Sequence, residues 1–322
     1  MDFTLEFERP VSELENQIRE LKEASAKRNV DMSHELEALQ TKVDRMLEEI
    51  YIKLTPWERT QLSRHPHRPH AIDYIEKIVE EFHEVHGDRR FSDDPSMITG
   101  FGYINGQKVA VIGIEKGRKT QEKIKRNFGM ANPEGYRKAL RVMQMASQFN
   151  IPVVTFVDTP GAYPGIGAEE RGQALAIAEN LEEMFNVKAP IISIVIGEGG
   201  SGGALGIAIA DKVFMMEYSV YSVISPESCA SILWSDPKMA ETAANSLQLS
   251  PNKALELKVI DGIIKEPAGG AHRHHDEAVK KVKEAIMTSL EALKKEDLDL
   301  VMEKRFEKFR QMGNITLTVD NT

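Results

Sequence analysis

Between Ile191 and Ala210 the chain reads IISIVIGEGGSGGALGIAIA, with glycine at 197, 199, 200, 202 and 203 around Ser201. The residues before this cluster are apolar or small and predict a buried strand, and Ala204–Ala210 predicts a tightly packed helix. Glycine here lets a ligand or another backbone approach with no Cβ in the way. The first N–H groups of a helix have no partner within it. A turn ending at Gly202-Gly203 therefore aims bare donors, and the positive end of a dipole, at any oxygen gaining negative charge.

Three other readings overlap this one. Gly197, Gly199 and Gly202 fit G-x-G-x-x-G, and Glu217 stands near the place of a ribose-binding acid, but a dinucleotide domain opens on that unit and continues in strand–helix repeats. Here it lies two thirds along and runs into the polar stretch Tyr218–Ser228. Gly199-Gly200-Ser201-Gly202-Gly203 also fits G-x-S-x-G, although the match supplies neither the acid nor the histidine of a hydrolase triad. A packing turn with no ligand is the remaining alternative, and it leaves unexplained why two elements are weakened by so much glycine.

The elements that must position this turn follow from patterning. Val11–Leu54 carries Leu14, Ile18, Leu21, then Leu36, Leu39, Val43, Leu47, Ile50 and Leu54 at helical spacing, predicting two helices that meet near Lys27–Ser33 and lie on the main body or a partner. Thr55-Pro56 ends this arm, and RHPHRP at Arg64–Pro69 predicts a proline-stiffened surface link in which His65, His67 and His70 are not ligands. Asp73 starts a helix to about Val85. Ile98–Ile104 and Lys108–Ile114 form a hairpin on Asn105-Gly106. Lys116, Arg118, Lys119, Lys123, Lys125 and Arg126 then gather positive charge, either as a solvated helix face or as an attraction for phosphate. Pro133–Phe149 is a helix, Ile151–Val157 a second buried strand, Asp158–Gly165 a second special turn, and Ala168–Phe185 a helix. Two successive strand–turn–helix units place their turns on one side of one cleft. Strands at Lys212–Met216 and Tyr218–Ile224, helices from Pro226, Pro251, Asp276 and Asp297, and a solvated tract at His272, His274 and His275 complete the chain.

With 322 residues the chain can bury a large core. Forty-one Lys and Arg against 50 Asp and Glu give a net charge of −9, which excludes a surface that is a nucleic-acid footprint throughout. Its one cysteine, Cys229, excludes an internal disulfide and a multi-cysteine zinc site. No secretory leader pattern and no spanning stretch is present, so the expected location is cytoplasmic.

Longer motifs carry a family resemblance: RHPHRP with DYI at Asp73–Ile75, HGDRRFSDDP at His86–Pro95, RNFGMANPEGYRKALRVMQMA at Arg126–Ala146, DTPGAYPGIGAEERGQ at Asp158–Gln173, GEGGSGGALGI at Gly197–Ile207 and YSVISPE at Tyr221–Glu227. Together they resemble the alpha subunits of bacterial acetyl-coenzyme A carboxylase carboxyltransferase over nearly the whole chain. The resemblance implies an α/β, crotonase-like spiral of repeated β-β-α turns with an N-terminal helical arm and C-terminal helices. It implies an arm over 1–63, a carboxyltransferase domain over 64–296 and a last helix with a frayed tail over 297–322. It also implies transfer of a carboxyl group from carboxybiotin on a separate carrier protein to acetyl-CoA, giving malonyl-CoA for fatty-acid synthesis. The partners it implies are a beta subunit bearing zinc, in an alpha2beta2 assembly, the biotin carboxyl carrier protein, and biotin carboxylase in the larger complex. No metal is expected in this chain, no membrane and no nucleic-acid partner.

On that resemblance Gly202 and Gly203 supply backbone donors to the biotin oxygen, and Gly199 and Gly200 shape the turn. Gly161, Ala162, Tyr163, Pro164 and Gly165 form the facing wall, Arg171 holds a carboxylate, and Lys116, Arg118, Lys119 and Arg126 reach CoA phosphates. Ser228 replaces the glycine usual after Ser-Pro-Glu, and strains the turn if that glycine has positive φ. A self-sufficient enoyl-CoA hydratase or isomerase is the competing enzyme, with Glu198, Glu169 or Glu170 as its acid or base. A nucleic-acid module would rest on the basic stretch alone.

Overall fold

The computed structural model describes residues 3–28 and 31–313. Among them eight strands form one mixed sheet: β1 (Glu80–Glu84), β2 (Met97–Ile104), β3 (Gln107–Ile114), β4 (Val153–Thr159), β5 (Ile191–Gly200), β6 (Lys212–Met216), β7 (Val220–Ser222) and β8 (Gly262–Ile264). Their order is β1-β2-β3-β4-β5-β6-β8, and β7 pairs with the last residues of β5. The pairs β1–β2 and β2–β3 are antiparallel and those from β3 onward parallel. The β2–β3 hairpin turns on Asn105 and Gly106, both at positive φ (49° and 74°), the conformation a two-residue hairpin loop requires.

The helices are α1 (Arg9–Arg28), α2 (Ser33–Ile52), α3 (Pro56–Ser63), α4 (Ala71–Ile78), α5 (Thr120–Lys125), α6 (Pro133–Gln148), α7 (Ile166–Glu170), α8 (Gln173–Asn186), α9 (Ser201–Leu205), α10 (Pro226–Trp234), α11 (Ala240–Leu247), α12 (Pro251–Glu256), α13 (His275–Leu293) and α14 (Leu298–Gln311). Side-chain alternation along β4 and β5 sorts two cores onto opposite faces of the sheet. Val153, Val157, Ile191 and Val195 face Val142 and Met143 of α6 and Met184 of α8. Val154, Phe156, Ile192 and Ile194 face Tyr74 and Ile78 of α4 and Val282 and Ile286 of α13. Each such fully buried aliphatic contributes about 1.5–3 kcal/mol, so the parallel strands are fixed before any polar contact is counted.

The arm is a third cluster, in which Val11, Leu14 and Ile18 of α1 meet Val43, Leu47 and Tyr51 of α2 over Leu62 and Tyr218 of the body. Part of its expected junction, residues 29–30, lies outside the described residues, as does the tail expected to fray. Glu8 anchors the arm: its Oε1 accepts the Tyr51 hydroxyl at 2.7 Å and the Arg273 guanidinium at 3.3 Å, and lies 3.2 Å from His272 Nε2. At the other end of the chain, Arg305 of α14 is wholly buried. It donates to both oxygens of Asp211 at 2.8 Å and to the carbonyls of Met184, Val187 and Ala189.

Several expected boundaries move. The helix from Asp73 is α4, which stops at Ile78, and β1 follows; β1 is a charged edge strand held by backbone pairing to β2, so it carries no inward pattern to detect. The helix expected over Ala168–Phe185 is split by Gly172 at φ 81°. Gly197, Gly199 and Gly200 belong to β5 and not to the turn, and the helix after them is five residues long. RHPHRP is not a surface link. His65 and His70 are 3% and 6% exposed, and Arg68 is buried with its guanidinium on Glu266 (2.9 and 2.7 Å) and on the Ile196 carbonyl. The tract at His272 is likewise not fully solvated, since that ring packs 4.2 Å from the His65 ring.

Candidate active site

β4 and β5 run side by side in regular parallel register from Val153 to Val157, then slip, so that Thr159 pairs with Gly199. Beyond the slip each strand ends in a turn, and the two turns touch. A Cβ on Gly200 would lie 2.2 Å from the Pro160 carbonyl oxygen, and one on Gly203 would lie 2.4 Å from the Gly161 carbonyl carbon. Only glycine permits these approaches. Thr159 ties its own turn, accepting the Gly161 N–H at 3.0 Å and donating its hydroxyl to the Gly161 carbonyl at 2.7 Å. Ser201 enters α9 at φ 50°, a strained value for a residue with a side chain.

Neither the Gly202 nor the Gly203 N–H finds an acceptor outside α9 among the described residues, and α9 is too short to provide one inside. The two differ in access. Gly202 lines a cavity of about 400 Å³ with Ser201, Leu205, Tyr221, Val223 and Leu247, whereas Gly203 is buried behind it. Exposed apolar side chains line the cavity, Val223 at 75%, Leu257 at 62% and Leu205 at 37%.

The turn 161–165 does not stand across this cavity, and that expectation is corrected. Gly161 and Ala162 pack directly against Gly203. Tyr163 donates its N–H to the Ala131 carbonyl at 3.0 Å and lays its ring over Gly165, and Pro164 is exposed. These residues brace the donor turn from behind.

The charged candidates are also reassigned. Lys116 does not reach outward: its ammonium lies 2.8 Å from Asp158 Oδ1 and 2.7 Å from Glu198 Oε2, and burial, which would lower its pKa, is outweighed by those two carboxylates, which raise it. Arg118 is paired with Asp73, and Arg126 with the Pro95 carbonyl. Lys119 alone of the four remains exposed at the start of α5 without such an anchor described. Arg171 already holds a carboxylate, that of Glu134 at 2.6 Å, and its guanidinium stacks over Phe91.

Glu198 is the group a hydratase would need. Burial pushes its pKa up, but Lys116 and Arg64, the latter 2.6 Å from Oε1, pull it down to about 2, so it is a permanently ionised member of a network and a poor proton shuttle. Glu169 and Glu170 lie exposed on α7. Arg64 continues the network to Glu227 at the start of α10. Arg64, Asp158, Glu198 and Glu227 lie within the quoted motifs and Lys116 in the basic stretch, yet nothing in their spacing shows that 64, 116, 158 and 198 meet.

Two further sites resolve. Ser228 sits unstrained inside α10, its N–H on the Ser225 hydroxyl at 3.2 Å, so glycine is not needed there. Glu8, His65 and His272 come within 4.8 Å of one another. Their shared carboxylate oxygen is already occupied by Tyr51 and Arg273, and burial, with the His272 ring beside it, holds the His65 imidazole neutral with its pKa down to about 3. No helix among the described residues is long and apolar enough to cross a membrane.

A family model described as acetyl co-enzyme A carboxylase carboxyltransferase-like matches residues 4–313. The acetyl-coenzyme A carboxylase carboxyl transferase subunit alpha of Fusobacterium nucleatum is 53% identical over 309 residues, covering 96% of this chain and 99% of that one. The same subunit of Thermus thermophilus is 50% identical over 309 residues, covering 96% and 98%. Among solved structures, transcarboxylase 12S superposes with a TM-score of 0.53 at 22% identity over 66% of this chain, which spans only 41% of that longer one. A Pseudomonas malonate decarboxylase heterotetramer bound to coenzyme A superposes with a TM-score of 0.54 at 14% identity, over 67% of this chain and 86% of that one. The fold is thus the crotonase-like α/β spiral of carboxyltransferases. A family model over residues 4–313 and about half-identity over 96% of the chain place it in the family of acetyl-coenzyme A carboxylase carboxyltransferase alpha subunits.

Proposed function

We propose that the chain supplies the biotin half of an acetyl-CoA carboxyltransferase, moving a carboxyl group from carboxybiotin on a carrier protein to acetyl-CoA to give malonyl-CoA. The observation that carries the proposal is the unpartnered Gly202 N–H on the wall of a cavity rimmed by apolar side chains. As the carboxyl group leaves, negative charge grows on the ureido oxygen of biotin. Preset amides in a dry site stabilise such charge by about 3–4 kcal/mol per well-placed donor. Gly202 is the first donor and Gly203 the second, with Gly199 and Gly200 setting their direction. No side-chain acid or base is required of this chain, because the released biotin nitrogen can take the methyl proton of acetyl-CoA.

The apolar rim of Val223, Leu257 and Leu205 is proposed as the face covered by a beta subunit, which carries zinc and most of the acetyl-CoA site in an alpha2beta2 assembly. The carrier protein and biotin carboxylase belong to the larger complex. In this division of labour 1–63 is a brace, 64–296 the transferase body and the segment from 297 its clasp, and the setting is cytoplasmic. Co-expression with the beta chain of the same genome tests the reading: a heteromeric complex by mass measurement that forms malonyl-CoA from carboxybiotin and acetyl-CoA is expected. Turnover of an enoyl-CoA by the chain alone, or no malonyl-CoA from the assembled pair, overturns it.

A further inference from the structure

The parallel ladder between β4 and β5 fails at one residue. Val157 pairs with Val195 and Thr159 with Gly199, so a single residue of β4, Asp158, faces Ile196–Glu198 of β5. Backbone N–H groups left over by such a slip need an acceptor. Asp158 provides it from its side chain: Oδ1 accepts the Glu198 N–H at 2.9 Å. The carboxylate lies flat against the strand, since a Cβ on Gly197 would be 2.5 Å from that oxygen. Lys116 reaches across from the end of β3 and holds Asp158 Oδ1 (2.8 Å) and Glu198 Oε2 (2.7 Å) with one ammonium. Asp158 is 5% exposed and Glu198 8%. Three residues further on is Ser201 at positive φ, and after it Gly202.

We propose that Asp158 is a positioning residue for the donor turn: its carboxylate, steered by Lys116, replaces the ladder bond lost at the slip and so sets where the Gly202 N–H points. The inference rests on the carboxyl-transfer reading for its kinetic consequence and on the geometry alone for its structural one. Asp158 touches no reacting atom. It holds the Glu198 amide, which fixes the last turn of strand before the donors, and the adjoining Gly197 exists to admit its oxygen.

The test uses the full chain assembled with its beta partner and compares Asp158→Ala, Asp158→Asn and Thr155→Val. Thr155 lies mid-way along β4, its hydroxyl donating to Ser193 of β5 at 2.9 Å, so its loss weakens the same strand pair without touching the slip. Asp158→Ala is expected to lower kcat at least tenfold with both KM values within twofold. Asp158→Asn, which restores an acceptor for the Glu198 N–H, is expected within threefold of the parent, and Thr155→Val within twofold at a lower melting temperature. Amide hydrogen exchange in the fragment 197–205 should quicken at least tenfold in Asp158→Ala and not in Thr155→Val. An Ala variant with kcat within twofold, an Asn variant as slow as the Ala variant, or unchanged exchange overturns the inference. If Asp158→Ala does not assemble, Gly197→Ala, which presses on the same oxygen, must show the same kcat loss, and normal turnover there overturns it equally. Failure of the parent complex to make malonyl-CoA would sink the functional reading instead, and exchange would still decide the role of Asp158.

Discussion

Gly203 rests against the peptide that joins Gly161 to Ala162: a Cβ added to it would stand 2.4 Å from the Gly161 carbonyl carbon and 2.5 Å from the Ala162 nitrogen. Backbone cannot yield to such a contact as a flexible side chain can. Gly202 differs, because its added Cβ would meet only Ile177 at 3.7 Å, an ordinary van der Waals distance.

The two glycines should therefore respond differently to alanine. Gly203→Ala should push the two turns apart, lower the melting temperature and cost about 10²–10³ in kcat, the loss typical of one displaced oxyanion donor. Gly202→Ala should assemble with unchanged melting temperature and keep most of its turnover. Paired calorimetry and malonyl-CoA assays decide the matter, and equal behaviour of the two variants refutes the account.

Acid should expose the Glu198 network. Its carboxyl has a pKa of about 2 in the folded chain against 4.5 for an ordinary glutamate. A depressed carboxyl stabilises fully above the unfolded value and loses that stabilisation as pH falls from about 4.5 toward 2. The shift corresponds to about 3 kcal/mol. Urea unfolding of the parent should weaken steadily across that window, and Glu198→Gln, starting less stable, should show a flatter slope there.

Arg171→Gln should report on packing and not on substrate. Its partner Glu134 is buried and shared with Arg137 at 3.2 Å, so the substitution should cost about 1–2 kcal/mol of stability. The KM for acetyl-CoA should stay within twofold. A large rise in KM would return Arg171 to the role of substrate ligand.

Arg305→Met removes a buried guanidinium and leaves Asp211 charged among unpaired carbonyls, a loss of about 3–5 kcal/mol. Thermal unfolding should show one transition at a much lower temperature. An unchanged transition would mean that α14 is not integral to the body.

Much of the fold is legible from residue types, and the reason is burial. β4 and β5 are apolar on both faces, and Asn105-Gly106 can turn only one way, so these elements announce themselves. β1 does not, because Glu80, Glu81 and Glu84 are exposed and the strand is held by its backbone. The donor turn is legible because glycine density marks close approach, and Gly200 and Gly203 bear that out in their contacts with Pro160 and Gly161. Its supports are not. Lys116 sits in a run of positive charge that looks solvated, and only the fold shows that it is drawn inward by Asp158 and Glu198, 42 and 82 positions on. His65 and His272 meet across a still longer interval, through rings whose spacing in the chain says nothing of contact.

Arg305 has one more consequence. The carbonyl of Met184 waits for a side chain made 121 residues later. At roughly 5–20 residues per second on a ribosome, that is about 6–24 s during which this carbonyl has no guanidinium to accept from. The nascent chain cannot lock this corner early, and release of α14 from the exit tunnel is the event that closes it.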